Sequence, residues 1–135
     1  MLQVIRDTMG ESLLGVLLFG SVAREDYHVG SDIDLLIVVS SDLPLTRRLY
    51  ARWDEQLVED MHSPHFVHLP ATVEEAGSIW FEAAVDGIVL YDSDGRVSRF
   101  LSRIRRAIAD GRLMRRFAYG HPYWIRGDRE ASSVQ

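Results

Sequence analysis

The chain opens on a weakly amphipathic stretch, Leu2 to Met9, which predicts a short helix. Leu13 to Phe19 (LLGVLLF) is a continuous apolar run of strand length and predicts a buried strand. Gly20-Ser21 breaks the run, and Val22 to Tyr27 suits a helical turn or short helix. Ile33 to Val39 (IDLLIVV) predicts a second buried strand, ended by Ser40, Ser41, Asp42 and Pro44. Leu45, Leu49, Trp53, Leu57 and Met61 then fall four apart with polar residues between them, the spacing of an amphipathic helix. His65 to Leu69 (HFVHL), bounded by Pro64 and Pro70, predicts a short strand. Thr72-Val73-Glu74-Glu75 has the form of a capping box, which predicts a helix running to about Val85. Gly87 to Tyr91 (GIVLY) predicts another strand, closed by the turn residues Asp92-Ser93-Asp94-Gly95. From Arg96, apolar positions at Val97, Leu101, Ile104, Ile108 and Met114 predict an arginine-faced helix, with an interruption at Gly111 left open. The order α-β-α-β-α-β-α-β-α implies an α/β (α+β) fold, a mixed β-sheet flanked by helices.

Composition narrows the class. At 135 residues, 47% of them apolar, the chain is the size of one ordinary domain with a real core. There is no cysteine, which excludes disulfide frameworks, thiolate nucleophiles and Cys-ligated metal sites. No apolar run approaches the ~20 residues of a membrane span. The N-terminal MLQVIRDTMGES lacks the pattern of a secretory signal, so the expected location is the cytoplasm.

All 15 basic residues are arginine, and they are unevenly placed. Residues 1–95 hold 5 Arg against 17 Asp/Glu, a net of −12, whereas residues 96–135 hold 10 Arg against 3, a net of +7. An acidic body with a basic tail argues against a simple nucleic-acid binder, whose basic surface is normally broad, although local contact with a polyanion stays open.

The stretch that carries chemistry is Gly20-Ser21-Val22-Ala23-Arg24, followed after six residues by Ser31-Asp32-Ile33-Asp34. Gly20-Ser21 sits where a buried strand gives way to a helix start, a place where free amides, a hydroxyl and a missing side chain favour phosphate. Asp32 and Asp34 open a strand, and residues two apart on a strand share a face. Paired carboxylates repel unless a hard cation such as Mg2+ neutralises them. A phosphate cradle beside such a pair is what phosphoryl or nucleotidyl transfer needs.

The stretch GSVAREDYHVGSDIDLLIV resembles the nucleotidyltransferase signature of the DNA polymerase β superfamily, and the short chain with its early motif is similar to the minimal nucleotidyltransferases. The resemblance implies a nucleotidyltransferase domain over residues 1–95, a helical extension over 96–129 packed on it, and a frayed tail over 130–135. It implies Mg2+ held by Asp32 and Asp34, and phosphates of a nucleoside triphosphate, ATP, held by Gly20 and Ser21. Arg24 and Ser31 join the nucleotide-binding candidates, Arg24 either buttressing the loop or meeting phosphate. Family members of the catalytic kind carry a third carboxylate on a later strand. The expected strand is HFVHL, and His68 stands where that acid is expected.

His68 has three readings at this point: a metal ligand or proton acceptor, the mark of a site that binds without efficient turnover, or an ordinary strand histidine. His62 and His65 rank lower, since nothing in the sequence pairs them with a site, and Glu59 and Asp60, the alternative third acids, read better as a solvent-facing helix end. Glu25 departs from the glycine that often follows the arginine in the family. Leu49, Trp53 and Leu57 read as core.

The expected activity is transfer of AMP to a hydroxyl acceptor, releasing pyrophosphate. The resemblance further implies an antitoxin paired with a HEPN-domain toxin, whose tyrosine would receive the AMP. The alternatives are a non-catalytic nucleotide-binding or interaction module of the same fold, or transfer to a small molecule such as an aminoglycoside, with the tail helix of a second subunit completing the pocket. Arg99, Arg103, Arg106, Arg112, Arg115 and Arg116 read as a solvated face or as contacts to the acidic body, RNA or a partner. Tyr119, Tyr123 and Trp124 fall in a loop-like segment expected to serve docking or a homodimer contact rather than core.

Overall fold

A computed structural model describes residues 2–19, 33–56 and 62–127. Its elements are α1 (Leu2–Met9), β1 (Leu13–Phe19), β2 (Ile33–Val39), α2 (Arg47–Gln56), β3 (His62–His68), α3 (Ser78–Asp86), β4 (Ile88–Asp92), α4 (Arg96–Ala109), β5 (Leu113–Ala118) and β6 (His121–Arg126). Four strands form one mixed sheet in the order β3-β2-β1-β4. β1 runs antiparallel to both β2 and β4, and β2 runs parallel to β3.

The two apolar runs are continuous because both faces of the sheet are covered. On one face Leu14, Leu17, Leu36 and Val38 pack with Trp80 and Phe81 of α3 and with Val97, Phe100, Leu101 and Ile104 of α4. On the other, Leu13, Val16, Leu35, Ile37 and Val39 pack with Ile5 and Met9 of α1 and Leu49 and Trp53 of α2. Every residue from Leu35 to Val39 is fully buried. Strict alternation on β1 would put Leu14 and Val16 on the same face. A bulge between Leu13 and Gly15 inserts one extra residue and sends them to opposite faces. Gly15 also admits α4 closely: a Cβ there would meet Val97 Cγ2 at 2.8 Å and the Tyr91 carbonyl oxygen at 3.1 Å.

Several element boundaries differ from the sequence reading. α2 begins at Arg47, leaving Leu45 43% exposed outside it. β3 begins three residues earlier than predicted, because its ladder with β2 already starts at His62. The capping box does not form: the Thr72 side chain makes no cap bond, Val73–Glu75 is a single 3-10 turn, and α3 starts at Ser78 behind Gly77. Leu57, Glu59, Asp60 and the expected tail over 130–135 lie outside the described residues.

The largest departure is at the C-terminal end. α4 stops at Ala109, where Gly111 (φ +80°) turns the chain and the Arg112 amide donates back to the Ala107 carbonyl at 2.9 Å. Beyond this turn the chain forms a β-hairpin, not the expected helical extension, with β5 and β6 paired antiparallel from Leu113↔Arg126 to Ala118↔His121. Tyr119 and Gly120, both at positive φ, make the two-residue turn.

The hairpin folds back onto α3. Leu113 is buried in the core. The Trp124 ring lies 5.4 Å from that of Phe81. The Trp124 indole donates to Glu82 at 2.7 Å, and Arg115 bridges Glu82 and, at 3.3 Å, Asp86. Trp124 is therefore a body contact, while Phe117, Tyr119 and Tyr123 stay exposed.

Candidate functional site

The C-terminal end of β1 and the N-terminal end of β2 meet: Phe19 and Asp34 are register partners. The segment joining them carries Gly20, Ser21, Arg24, Ser31 and Asp32, and these five candidates, like Glu25, lie outside the described residues. Asp34 and His68 are described.

Asp34 alternates with Leu36 and Val38, so it belongs to the α3/α4 face of the sheet, at the point where that face runs out into solvent. Its side chain is one-third exposed. Among the described residues its polar neighbour is the His65 imidazole, whose Nε2 lies 3.6 Å from Asp34 Oδ1. That is too long for a hydrogen bond. The His65 ring is steadied by an edge contact with Phe19, the centroids 5.5 Å apart. Asp34, His65 and Phe19 thus form one small group at the edge where β1 ends and β2 begins.

The structure does not bring His68 to this group. In the parallel ladder Asp34 pairs with Ser63, whereas His68 pairs with Val39, five steps further along. At the usual rise per strand residue that is about 16 Å. Phe66 packs in the α1/α2 core, so His68, two residues on, faces that side. There its Nε2 lies 2.7 Å from the Leu43 carbonyl oxygen. The residue that shares Asp34's face is His65, which the sequence ranked low. The signal that finds it is the register of β3 on β2.

Two other polar clusters are structural. Asp92 accepts from the Gly95 amide at 3.0 Å and the Ser98 amide at 2.9 Å, holding the start of α4. Burial pushes the Asp92 carboxyl up, but hydrogen bonds from Ser98, Gly95 and Val97 outweigh it and hold it below the usual aspartate value. Asp94 is likewise lowered, first by the Arg96 amide. The Arg115, Glu82 and Asp86 cluster anchors the hairpin. A surface depression of about 520 Å³ lined by Leu43, Arg47, Arg48 and Arg52 lies toward the His68 end and contains neither Asp34 nor His65.

The donor chemistry at Asp34 fits a hard cation. Mg2+ is commonly held by one or two carboxylates, with waters and substrate phosphates completing its shell. Among the described residues no cluster of three metal-ligating side chains forms. Of the described carboxylates at this end of the sheet, Asp34 is the one that could offer an oxygen to such an ion. No helix among the described residues is long and apolar enough to cross a membrane.

Comparison with known proteins bears on this arrangement. The model of the nucleotidyltransferase domain matches residues 4–94. Over 48 residues the chain is 44% identical to a spectinomycin 9-adenylyltransferase of Staphylococcus aureus, covering 35% of this chain and 18% of that protein. The chain thus spans less than a fifth of the curated relatives it matches. Its fold is similar to a toxin–antitoxin crystal structure with AMP-PNP, at a TM-score of 0.51 and 17% identity over 81% of this chain and 84% of the other. A mutant of the MntA-HpeT toxin–antitoxin gives 0.52 and 18% over 81% and 83%. At such identities the likeness is one of fold.

Proposed function

This chain belongs to the nucleotidyltransferase domain family, and from that premise we propose that it transfers AMP from ATP to a hydroxyl acceptor in a Mg2+-dependent reaction. One observation carries the reading. Asp34, a partly exposed carboxylate, stands at the sheet edge where the segment bearing Gly20, Ser21 and Asp32 leaves β1 and returns to β2.

In this reading Gly20 and Ser21 hold the phosphates, with Arg24 and Ser31 beside them, and Asp32 and Asp34 hold Mg2+. The bound ion would neutralise charge on the triphosphate and its pyrophosphate leaving group. The acceptor oxygen attacks the α-phosphorus, the bond to the β-phosphate bridge breaks, and the hydroxyl proton is released. The protein's share is positioning: a rigid strand fixes Asp34, and β1, paired with it, fixes where the phosphate-holding segment begins.

The acceptor we propose is a hydroxyl of a partner protein, a HEPN-type toxin. The toxin–antitoxin structures that share its fold support that choice, while the name of the spectinomycin adenylyltransferase relative supports a small-molecule hydroxyl as the second reading. The name of the adenylyltransferase relative supports ATP as the donor.

The test is transfer of label from α-labelled ATP to a co-expressed partner protein. The parent chain should label the partner only with divalent cation present, and the Asp32→Ala/Asp34→Ala double variant should not. Persistent labelling by the double variant would refute the assignment. Failure of the parent to bind Mg-ATP by calorimetry would favour a non-catalytic module.

A further inference from the structure

We propose that His65 is a ligand of the cation held at Asp34, and that its imidazole nitrogen shifts the site from Mg2+ toward Mn2+ and later first-row ions. The inference rests on Asp34 being a cation ligand.

Three observations carry it. First, the donor spacing is that of two ligands of one ion. Donors each about 2.1 Å from a common metal stand about 3.0–3.4 Å apart at right-angle to tetrahedral geometry. The observed separation of 3.6 Å between His65 Nε2 and Asp34 Oδ1 is close to that. Second, among the described residues neither side chain makes a hydrogen bond, and their mutual contact is too long to be one. Third, the ring is held in place without polar help. His65 sits inside the β2–β3 ladder opposite Leu36, and Phe19 packs its edge against the imidazole. Both side chains keep solvent access, at 43% and 33% exposure, so an ion can enter from water.

A plain surface ion pair is the competing account. Such pairs contribute little, and this one lacks hydrogen-bond geometry. The cation account explains why two donors converge at that separation and why an apolar ring fixes one of them. Hard Mg2+ takes oxygen ligands, whereas nitrogen donors favour first-row transition ions. Replacing an oxygen ligand by His65 therefore changes which ion binds.

The experiment titrates the full chain with Mn2+ alone, followed by calorimetry and by pulsed electron paramagnetic resonance, which detects a directly bound nitrogen. The parent should show nitrogen modulation, and His65→Ala should lose it and bind Mn2+ about tenfold or more weakly. Mg2+ affinity should change far less in His65→Ala. His65→Asp, which offers oxygen instead, should tighten Mg2+ and still show no nitrogen signal. Thermal melts of His65→Ala and His65→Asp should overlay the parent, and retained Mn2+ binding by His65→Asp marks a folded site. If the parent binds Mn2+ through Asp34, as judged by its loss in Asp34→Asn, but shows no nitrogen modulation, the His65 inference falls and the reading of Asp34 stands. If the parent's Mn2+ binding is untouched by Asp34→Asn, both fall.

Discussion

Removing Arg115 tests what holds the C-terminal hairpin to the body. Its guanidinium spans Glu82 and Asp86, one turn apart on α3, and lies 5.8 Å from the centre of the Trp124 ring. All three charged side chains are only about a fifth exposed. Arg115→Ala would leave two carboxylates facing each other without their shared cation. Breaking a fully buried pair costs about 3–5 kcal/mol, an exposed one at most about 1. Arg115 Nε is itself buried without an acceptor among the described residues, a penalty of about 1 kcal/mol that truncation relieves. The expected loss is therefore about 2 kcal/mol. In a domain of this size that lowers Tm by about 6–10 °C. In native-state hydrogen exchange, the amides of the β5–β6 ladder should open about 30-fold more often. Glu82→Gln, which keeps an acceptor for the Trp124 indole but drops a charge, should cost less. If Arg115→Ala melts with the parent and hairpin protection is unchanged, then Leu113 and Trp124 hold the hairpin by apolar contact alone and the ionic account is wrong.

Three further outcomes are expected. Gly15→Ala should cost about 1–3 kcal/mol in urea unfolding, since its methyl would meet Val97 and the Tyr91 carbonyl; an unchanged midpoint would mean that the start of α4 gives way freely. Asp92 has a depressed folded-state pKa, so its contribution is fully present above the unfolded value of about 4 and is lost as pH falls through the lower folded value. Stability of the parent should accordingly fall more steeply on acidification below about pH 4 than stability of Asp92→Asn; parallel curves would deny Asp92 its role in holding the start of α4. His68→Ala should lose the contact with the Leu43 carbonyl, worth about 1 kcal/mol, and leave nucleotide transfer within about twofold of the parent; a collapse of transfer would return His68 to the site.

How much of the fold was legible depends on whether a pattern is local. The runs at Leu13–Phe19 and Ile33–Val39 announce central strands, because residues buried on both faces have no polar alternation to show. The α4 stripe of Val97, Leu101 and Ile104 announces a helix, and all three residues are buried. The hairpin escaped for two reasons. Its turn is Tyr119-Gly120, and a tyrosine at positive φ is not a residue that signals such a turn. Its inward face carries Arg115, and an arginine in a run of arginines reads as solvated until Glu82 and Asp86 are seen across from it. The capping pattern at Thr72 failed in the opposite sense: a local signal was present, and Gly77, not Thr72, became the residue from which α3 starts.

The site shows the same division more sharply. Asp34 declares itself through its neighbours in sequence, but its companion is set by how β3 lies against β2, which no spacing within either strand encodes. In HFVHL the central pair, Phe66 and Val67, are both apolar, so either could point into either core. The choice decides everything about the histidines. Phe66 goes to the α1/α2 side, where it meets Trp53 and Tyr50 edge-on and is buried, and Val67 packs against the α3/α4 core. Period-two alternation then puts His65 on Asp34's face and His68 on the other. A slip of one residue would have turned His65 away from that face, and His68, still at least four steps along the strand from Asp34, would not have replaced it. The aromatic pocket formed by Trp53 and Tyr50, remote from the chemistry, thus helps to hold the His65 imidazole on the carboxylate's face.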